Sequence, residues 1–139
     1  AAVANAHLAY ELFIKESTSP RWAALAAKGA HMQRPLWAST GVKDPAYDDT
    51  RYVIELAAPG CVNTMPEGTL NAVADHGAVR GDTVSGTADD ARQVWADLAA
   101  IGIDRNAVFT QLETEGVDKF IVSWNELLDI VTAAMESDK

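Results

Sequence analysis

The chain has 139 residues, one domain's worth, and its 48% hydrophobic and 22% charged content excludes a disordered polyelectrolyte. Eleven basic against twenty acidic residues leave a formal charge of −9. Such a surface repels phosphate backbones, so nucleic acid is excluded as a partner, and an anionic ligand needs a locally basic pocket. The lone cysteine, Cys61, rules out an internal disulfide and fits a reducing, cytoplasmic compartment. No apolar run is long enough for a membrane partner, and Glu11, Lys15 and Glu16 interrupt any secretory-type start. The opening Ala1-Ala2-Val3, without methionine, suggests sequence upstream.

Residues 2–16 carry Val3, His7, Leu8, Tyr10, Leu12 and Phe13 at helical spacing. Ser17 to Pro20 break that helix and start a short one to about Lys28, closed by Gly29. Pro35 to Thr40 form an apolar run ending in hydroxyls, which predicts a buried strand. A loop from Gly41 to Tyr47 follows, and Asp48 or Asp49 can cap a helix to about Ala58. Cys61 to Met65 read as a second strand, and Pro66 opens a helix that ends at His76-Gly77. Helix, strand, helix, strand, helix is the signature of a parallel α/β sheet.

Beyond the polar, Gly-containing segment 79–86 the pattern turns wholly helical. Thr87 caps a helix to Ile101, and Asp104 caps another ending near Gly116. A last helix runs from about Val117 to Met135, with Val117, Phe120, Ile121, Trp124, Leu127, Leu128 and Val131 on one stripe. No internal repeat or low-complexity tract is present.

In parallel α/β folds, ligands bind at the C-terminal ends of strands. Here those ends are Ala38 to Lys43 and Val62 to Pro66. The first offers the hydroxyls of Ser39 and Thr40, amides near Gly41 and the Lys43 ammonium, which suits a phosphate monoester. The second offers Asn63 and Thr64 just before a helix N-terminus. Ser-Thr-Gly also occurs in ordinary turns, so the residues alone leave a plain loop open.

The stretch from Gln33 to Tyr47 closely resembles the seventh strand and following loop of transaldolases, and Val62 to Leu70 resembles their eighth strand. Glu115 to Phe120, then Ser123 to Leu128, resembles the terminal helices of the actinobacterial-type branch. The resemblance implies the C-terminal part of a (β/α)8 barrel, with about two parallel strands and then C-terminal helices. Residues 1–86 would be the last βα units and 87–139 a helical segment of the same domain. It implies a metal-free, cofactor-free transferase of the pentose phosphate pathway, moving a dihydroxyacetone unit between sugar phosphates through a lysine Schiff base. Ser39 would hold substrate phosphate, with Lys43 as the cation and Thr40 beside them; Asn63 and Thr64 would lie near substrate.

Family members place the Schiff-base lysine in an apolar strand, and none of Lys15, Lys28, Lys43, Lys119 and Lys139 lies in one. The chain alone is therefore expected to be inactive, and the N-terminal remainder of the barrel is its expected partner. Two further readings stay open: a non-catalytic helical interaction module derived from a transaldolase, and part of a fusion with a sugar-phosphate isomerase. His7, His31 and His76 lack metal-ligand spacing, Cys61 lacks a base, and Asp89-Asp90 suit a helix first turn.

Overall fold

A computed structural model describes residues 1–137; Lys139, expected at the terminus, lies outside the described residues. The elements are α1 (Ala2–Ser17), α2 (Pro20–Ala26), β1 (Leu36–Ala38), α3 (Arg51–Glu55), β2 (Val62–Thr64), α4 (Glu67–His76), α5 (Ala88–Ala100) and α6 (Arg105–Ser137). The chain divides into two compact units, Ala1–Asp97 and the part from Leu98 onward.

The first unit is built around β1 and β2, which pair in parallel with Trp37 opposite Asn63 and Ala38 opposite Thr64. Strand alternation puts Trp37 and Asn63 on one face. Leu36, Ala38 and Thr64 occupy the other face and are exposed. Ser19 joins α1 to α2: its hydroxyl donates to the Glu16 carbonyl and accepts from the Trp22 amide at 3.1 Å. Gly29, at φ +90°, closes the turn after α2, a backbone state that costs glycine little.

Sequence periodicity carries α3 to Ala58, but the helix ends at Glu55. Its terminal carbonyls are taken by other segments. Thr83 Oγ1 donates to Ile54 O at 2.8 Å, His7 Nε2 to Glu55 O at 3.1 Å, and Trp37 Nε1 to Leu56 O at 3.0 Å. The Thr83 amide takes Ala57 O at 2.8 Å. A helix leaves its last carbonyls without internal partners, and here α1, β1 and the 77–87 segment supply them. Tyr10 adds a bond to Pro59 O at 3.1 Å. Ala4, Tyr10, Ile54, Leu56, Val84 and Ala91 are buried.

Thr87 stands at the start of α5, where its carbonyl accepts from the Ala91 amide at 3.0 Å. Its hydroxyl does not close the helix end; it turns back to Val84 O and to His7 Nδ1, each at 2.7 Å. His7 is thus a bridging side chain inside this unit rather than a surface histidine. Asp89 lies in the first turn of α5 and pairs with Arg92 at 2.7 Å; Arg92 also meets Glu11 of α1.

In the second unit, Asp104 caps α6 through the amides of Asn106 and Ala107 at 2.8 and 3.2 Å. The expected break at Gly116 is absent, and the two anticipated helices are one of 33 residues. Gly116 is not among the glycines with positive φ, and i,i+4 contacts from Gln111 to Glu115 and from Glu115 to Lys119 run past it. An internal glycine weakens a helix by about 1 kcal/mol without ending it. The apolar stripe of α6 lies open, with Phe120 81% and Trp124 61% exposed.

Candidate functional site

A cleft of about 530 Å³ opens where the chain leaves β1 and enters α4. Ser39, Gly41, Val42 and Lys43 line one side, Pro66, Gly68 and Thr69 the other, and Asp49 reaches its edge. Two of the expected ligands, Ser39 and Lys43, therefore meet in one place. The ten-residue α4 begins there, and the free amides of a helix first turn favour an anion. The Lys43 ammonium is exposed and has no ion-pair partner among the described residues.

The other expected ligands stand behind the cleft. Thr40 is 3% exposed, and its hydroxyl donates to Asn63 Oδ1 at 2.7 Å instead of pointing among Ser39 and Lys43. Asn63 shares the helix-facing side of the sheet with Trp37. Thr64 shares the open face with Ala38, and its hydroxyl donates to Trp37 O at 3.3 Å. Ser39 itself has φ +57°, the one positive value among non-glycine residues described.

Sequence reading missed Thr69 and Asp49 as cleft residues. Thr69 sits in the first turn of α4 and is buried. The spacing from Pro66 could have shown it. Asp49 could not have been found, because what places it is His76, 27 positions away: Nε2 lies 2.8 Å from Asp49 Oδ1. Asp75 adds a 3.1 Å contact to Nδ1. Hydrogen bonds to Asp49 first and Asp75 next hold the His76 pKa above its ordinary value. His76 thus occupies one oxygen of Asp49 at the cleft, while Glu67 stands in the first turn of α4. Asp48, beside it, is held below the ordinary carboxylate range by the Thr50 hydroxyl and amide. Arg51 stacks on Tyr47, 4.6 Å from the ring centre.

Other features offer less chemistry. Burial pushes the Cys61 thiol up, against thiolate formation. A hollow of about 240 Å³ beside α1 and α2 is lined by Phe13, Trp22, Leu25 and Met32 together with Glu16, Ser17, Ser19, Arg21 and Gln33. No helix among the described residues is long and apolar enough to cross a membrane.

Two parallel strands flanked by helices, with a cleft at the strand ends, define a piece of an α/β protein. The family model described as Transaldolase/Fructose-6-phosphate aldolase matches residues 1–131, and the chain belongs to that family. A transaldolase of Frankia alni is 62% identical over 130 residues, covering 94% of this chain and 35% of the relative. One of Renibacterium salmoninarum is 59% identical over 137 residues, 99% of this chain and 37% of the relative. One of Saccharopolyspora erythraea is 59% identical over 139 residues, 100% of this chain and 38% of the relative. The chain thus spans little more than a third of the length of these relatives.

Proposed function

We propose that this chain is the C-terminal, phosphate-gripping part of a transaldolase that moves a dihydroxyacetone unit between sugar phosphates in the cytoplasmic pentose phosphate pathway. The observation that carries this reading is the convergence of Ser39, Lys43 and the start of α4 on one cleft. Ser39 donates to a phosphate oxygen, the α4 amides donate to another, and Lys43 balances the charge. Holding the phosphate fixes the far end of the sugar, so its carbonyl presents at a constant place for attack.

The attacking amine comes from elsewhere. Neither strand, Leu36–Ala38 or Val62–Thr64, contains a lysine. Lys15 lies in the last turn of α1, and Lys119 lies on exposed α6 with its ammonium 3.6 Å from Glu115. A closed (β/α)8 barrel needs about 250 residues, so in this reading the remainder of the barrel supplies the Schiff-base lysine and the proton-transfer carboxylates. Leu36 at 54% exposure, together with Ala38 and Thr64, forms the sheet face that this remainder would cover.

The test is reconstitution. The chain is refolded with the remaining part of a related transaldolase, and transfer from fructose 6-phosphate to an aldose phosphate is assayed. Activity should return with the pair and be absent from either part alone. A relative split at the same place serves as the control; if that control reassembles and this chain gives no transfer, the reading fails.

A second reading rests on the open stripe of α6, where Leu112, Val117, Phe120, Ile121 and Trp124 border an apolar groove beside Gly116. In it the chain is a helical interaction module without catalytic use. No restored transfer from this chain, where the split control does reassemble, would favour this module.

A further inference from the structure

Ser39 carries a backbone conformation that glycine adopts freely and other residues rarely do. A serine there gives up glycine's ease in exchange for a hydroxyl, so something nearby must hold it. The residues on either side of Ser39 show what does. Thr40, almost fully buried, donates its hydroxyl to Asn63 Oδ1 at 2.7 Å, with the Thr64 carbonyl 3.5 Å away. In the opposite direction, the Thr64 hydroxyl donates to the Trp37 carbonyl at 3.3 Å. Two hydroxyls thus cross between the strand ends, one on each side of Ser39. Gly41 follows with no slack, because a Cβ there would lie 3.1 Å from Pro66 Cγ and 3.4 Å from Thr69 Oγ1.

We infer that Thr40 and Asn63 form a latch that fixes Ser39 in its left-handed conformation and aims its hydroxyl into the cleft. They are positioning residues and do not touch the phosphate. This rests on the phosphate reading of the cleft but assigns the two residues a different task from ligation. It also explains why Thr40 is buried although its neighbours Ser39 and Gly41 both line the cleft. A Ser39 released from the latch relaxes to negative φ and turns its hydroxyl away from Lys43.

The experiment uses the 139-residue chain and inorganic phosphate, followed through backbone amide resonances of residues 39–43. Thr40→Val keeps the shape and removes the donor. It should weaken phosphate binding about tenfold, as loss of one charge-assisted contact would, and should abolish the strong intraresidue HN–Hα NOE that marks positive φ at Ser39. Thr40→Ser restores the hydroxyl and should restore both readouts. Asn63→Leu breaks the same bond from the other partner and should copy Thr40→Val; it also decides the matter if Thr40→Val does not fold. Phosphate binding and a Ser39 NOE that are unchanged in Thr40→Val or Asn63→Leu overturn the latch. If the unsubstituted chain binds no phosphate either alone or refolded with the remaining part of a related transaldolase, the phosphate reading falls, and the NOE arm alone upholds or overturns the latch.

Discussion

The indole of Trp37 in β1 donates to the carbonyl of Leu56, just past the end of α3, at 3.0 Å. This bond ties the strand that carries the cleft to the helix layer behind it. Trp37→Phe removes the donor and leaves the carbonyl of buried Leu56 without that partner. An unsatisfied buried acceptor costs about 1–3 kcal/mol. A urea titration should show the midpoint of unit 1 falling by a corresponding amount with an unchanged slope; an unaltered midpoint would count against this role.

His76 makes stability depend on pH. Its pKa is raised in the folded chain by Asp49 and Asp75, while Asp48, Arg51, Glu55 and Arg80 line the hollow beside it. A group with a raised folded pKa stabilises fully below its unfolded value, about 6.5 for histidine, and loses that contribution as pH rises through the folded value. Melting temperature should therefore decline as pH climbs from about 6 through the folded value. His76→Gln should flatten this segment of the curve. Equal slopes in the two proteins would refute the assignment.

Lys43 should act on binding and leave folding alone. Its side chain is exposed and unpaired among the described residues. Lys43→Met should weaken phosphate binding by ten- to hundredfold, following about 1.5–3 kcal/mol for a hydrogen bond to a charged group. The melting temperature should stay within error. Lys43→Arg should recover most of the affinity, and added salt should erode binding in the original chain more than in Lys43→Met.

Two glycines give opposite predictions. At Gly77 a Cβ would lie 2.5 Å from the Val73 carbonyl oxygen, a backbone atom with little freedom to move. Gly77→Ala should destabilise by about 1–3 kcal/mol, the usual range for overpacking. At Gly116 a Cβ meets nothing within 4 Å. Gly116→Ala should raise the helix content and stability of α6, by about 1 kcal/mol. Circular dichroism melts of the two variants check both signs.

Much of the first unit was legible from the sequence because its signals are local. Ser19-Pro20, Gly29 and Pro66 punctuate the chain where they stand, and the two short apolar runs became parallel strands. The end of α3 was not legible, since its carbonyls are taken by His7, Trp37 and Thr83, residues 19 to 48 positions away. The continuity of α6 was hidden by giving Gly116 the weight of a terminator when its backbone stays helical. In the cleft, Ser39 and Lys43 came from one contiguous motif. Asp49 needed His76, and the inward turn of Thr40 needed Asn63, pairings that no spacing rule encodes.

The 33-residue α6 is about 50 Å long at 1.5 Å per residue, and apolar side chains stand exposed along it from Val108 to Met135. In a cell such a surface is a substrate for holdase chaperones and degradative proteases, which act on exposed apolar segments. A cover over α6 should therefore slow the degradation of any protein that carries this segment.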